Sequence, residues 1–180
     1  MNTVTSVQDG AAGDVPVRAC AVLVAPDGRI CVIRRHRPRG VQHSLPGGLV
    51  GFGEQPTDAL RREIREELGL DLAVEDVDLV LRFEQHQETR RPGEGPLFRR
   101  RHLVYVAHLP RPPVEDVALV ELDAEDATEV VWLLPSDLAG AHLYPDVGER
   151  LVDAVTTQVP PAAAAPTLLA AMTDATFRWR

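Results

Sequence analysis

An α/β fold, with one mixed β-sheet and helices on both of its faces, is the class this sequence predicts. Three observations carry the reading. β-rich apolar runs, punctuated by Pro, Gly and Asp, recur along most of the chain. Residues 56–69 switch to an apolar period of 3.6, with Leu60, Ile64 and Leu68 at i, i+4 and i+8. A second helical pattern comes late, at residues 145–157. Strands interrupted by one helix mid-chain and one near the end place helices against both faces of a sheet.

The elements follow in order. Residues 1–14 are small and polar and are expected to be disordered. Val15–Val24 and Arg29–Arg35 flank Ala25-Pro26-Asp27-Gly28, a turn signal, so they are expected to form a hairpin. Arg34–Gly40 reads as a basic loop. Gln42–Leu45 reads as a short strand leading into Pro46-Gly47-Gly48. The mid-chain helix starts near Pro56, a favourable first residue, with Thr57 and Asp58 in its first turn, and stops at Gly69. Val77–Gln85 and Phe98–Leu109 are expected to be two long antiparallel strands. The polar loop of residues 89–96 between them has the composition of a site wall. Leu109–Asp126 reads as an irregular connection, Glu129–Leu134 as a strand, and Pro135-Ser136-Asp137 as the start of a helical turn. Pro145–Thr157 is expected to be the second helix. Residues 15–157 thus make one domain, and residues 158–180 a Pro/Ala-rich linker and C-terminal tail.

Composition narrows the function. The 180 residues suggest one domain with a full core. With 27 acidic and 19 basic residues the formal net charge is −8, which argues against nonspecific binding to nucleic acid or an anionic membrane. An anionic small substrate stays open, because bound metal ions invert the local field. No run approaches the roughly 18 apolar residues of a membrane span. Residues 1–14 lack the basic and apolar regions of a signal peptide, so a cytoplasmic location is the expectation. Cys20 and Cys31 fall in apolar strand patterns and read as buried residues, with a cross-strand disulfide as the lesser alternative. The six histidines have no ligand spacing.

The chemistry concentrates in residues 48–70. Glu63, Glu66 and Glu67 are spaced i, i+3 and i+4, so a helix gathers them on one patch. Carboxylates crowded within one turn repel one another. A divalent cation among them relieves that, and hard oxygen ligands suit Mg²⁺, or alternatively Mn²⁺. An isolated Glu-Glu pair is ordinarily solvated surface; what sets that reading aside is the complete pattern in which the trio stands.

Gly48, Glu54, Arg62, Glu63, Ile64, Glu66, Glu67, Gly69 and Leu70 fill every fixed position of the Nudix box, and Leu45-Pro46-Gly47 resembles the family's approach to it. The chain is thus identified as a member of the Nudix hydrolase superfamily, whose fold is an α/β/α sandwich around a mixed sheet. Many members carry a Glu where this chain has Gly51; the box leaves that position free. The resemblance implies a metal-dependent pyrophosphohydrolase that cleaves nucleoside diphosphates linked to another group, by water attack on phosphorus. It implies Glu63, Glu66 and Glu67 as metal ligands, with the Gly48 carbonyl as a further ligand. Glu63 or Glu67 would be the general base, and the choice between them stays open. Arg62 would pair with acidic neighbours and hold the loop against the helix, with Glu54 either its partner or a group hydrogen-bonded behind the metal ligands. Arg35 occupies a place where some relatives have a phosphate-contacting arginine, and Arg37 is the next candidate for a substrate contact. A further acid from outside the box could be Glu88, Glu94, Glu125, Asp126 or Glu129.

The resemblance also bears on substrate. The proline common in ADP-ribose-cleaving relatives is Gln85 here. The tyrosine common in dinucleoside polyphosphate hydrolases falls at Gln87-Glu88, and the coenzyme A pyrophosphatase motif is absent. A nucleoside triphosphate or a nucleotide sugar remains. A nucleotide-binding sensor of the same fold is the alternative, usually with a decayed box. The cysteine and His-Pro pattern of isopentenyl diphosphate isomerase does not occur. Many relatives are homodimers, so a homodimer is a candidate assembly.

Overall fold

The computed structural model describes residues 15–73, 77–91, 96–110, 128–156 and 165–180. Strands β1 (Val17–Val24), β2 (Ile30–Arg37), β3 (Gly40–Ser44) and β4 (Gly47–Leu49) precede helix α1 (Pro56–Leu68). Strands β5 (Val80–Thr89), β6 (Phe98–His108) and β7 (Thr128–Leu133) follow. Helix α2 (Pro135–Leu138), strand β8 (Leu143–Tyr144), helix α3 (Leu151–Thr156) and strands β9 (Thr167–Leu168) and β10 (Met172–Thr173) close the chain.

The sheet is mixed, in the order β10-β5-β6-β1-β2-β3-β8, with β4 on β1, β7 on β2 and β9 on β5. β1 runs parallel to β6 from Val17↔Arg101 to Val24↔His108. It meets β2 at Val24↔Ile30, at the mouth of the Pro-Asp-Gly turn. β1 is apolar on both faces because both are covered. Ala19, Ala21 and Leu23 pack with Leu60, Ile64 and Leu68 of α1. Cys20, Val22 and Val24 pack with Leu138, Leu143, Val147 and Leu151 from the other side. Those two cores make the expected sandwich. Each fully buried aliphatic side chain contributes about 1.5–3 kcal/mol to holding its helix on the sheet.

Helix α1 matches its sequence signals at both ends. Pro56 opens it, Asp58 lies in the first turn, and Gly69 ends it at φ 72°, where its N–H donates to the Arg65 carbonyl. A left-handed residue at that point is the conformation glycine alone adopts without cost.

Several boundaries differ from expectation. The basic run is not a loop: β2 continues to Arg37 and pairs with β3 as Arg35↔Gln42 and Arg37↔Gly40. The ladder of β3 holds it extended, and Pro38, which cannot donate, sits in the turn. The first long strand of the pair starts at Val80 and ends at Thr89, antiparallel to β6. The second helix is shorter than residues 145–157. The Tyr144 carbonyl accepts from Leu45 N–H at 2.9 Å and Asp146 N–H donates to Gln85 Oε1 at 3.1 Å, which ties residues 144–146 to their neighbours as a strand end and a bend instead of a first helical turn. Only a 3₁₀ turn at Gly148–Arg150 and α3 remain helical. Cys20 and Cys31 are buried and free, so the disulfide alternative fails. Trp132 is half-buried against the α1 side of the core.

Residues 165–180, read from sequence as a tail, return to the sheet. β9 and β10 run parallel to β5, at Phe83↔Thr167 and Met172↔Gln87. Phe177, Met172 and Tyr144 form a small core of their own, with Trp179 packed against it. The expected disorder of residues 1–14 and the connection at 111–126 lie outside the described residues.

Candidate active site

The approach to α1 threads between β1 and the helix, and glycine is required there. Gly47 has φ 129°, and a Cβ on it would overlap the Ala19 carbonyl oxygen of β1. That close approach aims the Gly47 N–H at Glu67, whose Oε2 accepts it at 2.7 Å. Glu67 is buried although it carries a carboxylate. Gly48 lies directly against Glu63, where a Cβ would overlap the carboxylate. The glycine pair thus brings bare backbone onto two of the three box glutamates.

Arg62 gathers the acids. Its Nε and Nη2 donate to the two oxygens of Glu54 at 3.1 and 3.0 Å, a two-pronged pairing. Its Nη1 donates to Glu63 at 2.7 Å and reaches Glu66 at 3.4 Å. Nη2 also donates to the Leu49 carbonyl at 3.1 Å. Glu54 in turn accepts from Gly51 N–H at 2.8 Å, which closes the loop onto the helix. Hydrogen bonding to Arg62, and then to Gly51, holds the Glu54 carboxyl below its usual range. The same pairing with Glu54, and then with Glu63, pushes the Arg62 guanidinium up.

Arg18, which the sequence reading passed over, supports the loop from beneath. Its Nη2 donates to the Leu45 carbonyl at 3.0 Å and to the Gly47 carbonyl at 2.6 Å. The only sequence signal is a lone charge in an otherwise apolar strand.

The carboxylates of Glu63, Glu66 and Glu67 with the Gly48 carbonyl form an all-oxygen donor set on one turn of helix and the loop facing it, which suits a hard divalent cation. Among the described residues, no three acidic, His or Cys groups are gathered closely enough to enclose an ion as the side chains stand. Arg62 draws Glu63 and Glu66 to itself, and the Gly47 amide holds Glu67. Carboxylates resting on a guanidinium can turn to a stronger cation without moving the backbone, so the residues fit a metal.

The remaining candidates are dispersed. Arg35 Nη1 donates to Ser44 Oγ at 3.3 Å, close in sequence to the loop, and Arg37 lies two residues further along β2. Glu88 pairs with Arg99 at 3.0 Å and Glu129 pairs with Arg34, both on exposed strand faces. Glu94, Glu125 and Asp126 lie outside the described residues. The two positions that mark substrate subclasses serve structure here. Gln85 Nε2 donates to the Asp146 and Ala170 carbonyls. Gln87 Oε1 faces His102 Nε2 at 2.9 Å and accepts from the Tyr144 hydroxyl at 3.1 Å.

The NUDIX domain pattern matches residues 14–153. This chain belongs to the NUDIX family. Its sequence is 32% identical over 119 residues to the nucleoside triphosphatase NudI of Escherichia coli strain SE11, covering 64% of this chain and 80% of that one. The same enzyme in Shigella flexneri matches equally. Among solved structures, the MutT protein of Bacillus halodurans superposes with a TM-score of 0.60 at 13% identity, over 90% of this chain and 93% of that one. The E. coli dihydroneopterin triphosphate pyrophosphohydrolase superposes with a TM-score of 0.57 at 19% identity, over 77% and 92%. Those likenesses confirm the sandwich fold. The protein is a Nudix hydrolase, an enzyme acting on phosphorus-containing anhydrides. No helix among the described residues is long and apolar enough to cross a membrane.

Proposed function

We propose that this Nudix hydrolase is a Mg²⁺-dependent nucleoside triphosphate pyrophosphohydrolase, releasing a nucleoside monophosphate and pyrophosphate. The observation that supports it is the junction of the Gly47-Gly48 backbone with two box glutamates: the Gly47 N–H donates to Glu67, and Gly48 lies against the Glu63 carboxylate. Resemblance to NudI supports a triphosphate over a nucleotide sugar.

Glu63, Glu66, Glu67 and the Gly48 carbonyl would hold the metal. When bound, it neutralises the phosphates and lowers the pKa of a coordinated water. The protein's own part is positioning. Arg62 ties Glu54 and Glu63 together and fixes the loop on the helix. Arg18 fixes the Gly47 carbonyl, so the amide aimed at Glu67 keeps its direction. Glu63 or Glu67 accepts the proton of the attacking water. Arg35 and Arg37 meet the substrate's anionic phosphates. Phosphoryl transfer asks little covalent work of a protein, so this alignment accounts for most of its contribution.

The test is phosphate and pyrophosphate release from nucleoside triphosphates, nucleotide sugars, ADP-ribose and dinucleoside polyphosphates, with millimolar Mg²⁺ and with EDTA. Pyrophosphate from triphosphates, abolished by EDTA, is the expected result. Release confined to a nucleotide sugar would move the substrate class. No release, with tight binding of one compound by calorimetry, would replace catalysis by sensing.

A further inference from the structure

A second feature lies where the C-terminal segment meets the sheet. Arg39 of the β2–β3 turn, Arg90 and Arg91 after β5, and Asp174, Phe177, Arg178 and Trp179 of the segment line an open cavity of about 150 Å³. Four guanidinium groups and one carboxylate line it, in a chain whose net charge is −8. That local reversal of sign favours an anion. The cavity is also aromatic. Arg91 lies over Phe98 at 4.2 Å and over Trp179 at 5.4 Å, and Trp179 meets Phe98 edge to face at 5.7 Å. Rings layered with guanidinium planes are the surface on which a nucleobase stacks.

The cavity connects to the catalytic loop. Trp179 packs on Tyr144 at 5.2 Å, and Arg18, which holds the Gly47 carbonyl, lies 5.5 Å from the Tyr144 ring. Two buried nitrogens flank Tyr144 without a hydrogen-bond partner among the described residues, Arg18 Nη1 and His102 Nδ1. Buried donors and acceptors in that state call for a ligand or water atom. Arg35 and Arg37 share one face of β2, and the turn that follows β2 carries Arg39 of the cavity lining.

We propose that this cavity receives the nucleoside end of the substrate, with Trp179 and Arg91 stacking its base. The proposal rests on the triphosphatase reading above. Residues 165–180 lie beyond the matched NUDIX region of 14–153, so this wall belongs to this chain's own C-terminal segment.

The chain has two tryptophans, so Trp132→Phe leaves Trp179 as the sole indole reporter. Its fluorescence is titrated with AMP, GMP, CMP and UMP in EDTA, and with inorganic pyrophosphate. Saturable quenching by at least one nucleotide is expected at a lower concentration than any quenching by pyrophosphate, because the base adds stacking to the charge attraction that both share. Arg91→Ala, at an exposed position, weakens that binding about 3- to 30-fold, the range for a lost cation–π contact. In turnover assays the loss appears in KM, whereas Glu67→Gln acts on kcat. Absent quenching, equal quenching by pyrophosphate, or an unaltered KM in both Arg91→Ala and Trp179→Leu would overturn the cavity assignment and leave the hydrolase standing. Absent triphosphate hydrolysis overturns the hydrolase reading, and the quenching titration still judges the cavity because it needs no turnover.

Discussion

Glu67 accepts a hydrogen bond from the Gly47 backbone N–H at 2.7 Å, although the two residues belong to different elements and Glu67 lies buried in the helix. The bond couples this box carboxylate to the loop that approaches it. Glu67→Gln keeps the shape and an acceptor for that amide, so the fold should persist. It removes a charge and any base function, and turnover should fall by about two to four orders of magnitude. kcat measured beside a melting curve checks this. Unchanged turnover removes Glu67 from the mechanism.

Gly48→Ala places a methyl group where the Glu63 carboxylate stands. The Glu63 carboxylate, the far end of a flexible side chain, must turn aside, so the cost falls on its placement and stability changes little. Turnover is expected to fall at least tenfold, and a Mg²⁺ titration of activity should move to higher concentration. An unaltered Mg²⁺ midpoint would show that Gly48 and Glu63 do not act together.

Arg62→Lys keeps the charge and loses the fork that grips both Glu54 oxygens. Arg62 is over a third exposed, so the stability effect should be no more than about 1 kcal/mol. The effect expected is kinetic: kcat drops because Glu63 and the loop lose their common anchor. Equal kcat for Arg62→Lys and the parent enzyme argues that one charge suffices.

His102 predicts a pH dependence of stability. Burial, with Arg18 and then Arg100 nearby, pushes its pKa down from 6.5 to about 3. Between those values the unfolded chain binds a proton that the folded chain does not, so stability falls as pH drops from about 6.5 towards 3, and the term is constant below. Melting temperatures from pH 7 to pH 4 should decline less steeply in His102→Gln than in the parent. Parallel curves would mean that His102 does not supply the slope.

Helix α1 was legible because its signals are local. Pro56, Gly69 and the Leu60-Ile64-Leu68 stripe each act within a turn or two, and residues three and four apart on a helix must converge. The convergence of the box glutamates follows from the same geometry, while the role of Arg62 came from the resemblance to the Nudix box. Arg18 was not legible, because its contacts with Leu45 and Gly47 lie 27 and 29 residues away. The basic run from Arg34 looked like a loop because charge and Pro38 outweigh strand propensity locally; the ladder of β3 decided otherwise.

By itself the sequence determined the family and the helix that carries Glu63, Glu66 and Glu67, since the box and the helix signals lie within 23 consecutive residues. The tertiary structure decided which backbone amide meets Glu67, that one Arg62 guanidinium gathers Glu54, Glu63 and Glu66, and that residues 165–180 lie on β5 beside the aromatic cavity. Those relations join segments far apart in the chain, and only packing brings them together.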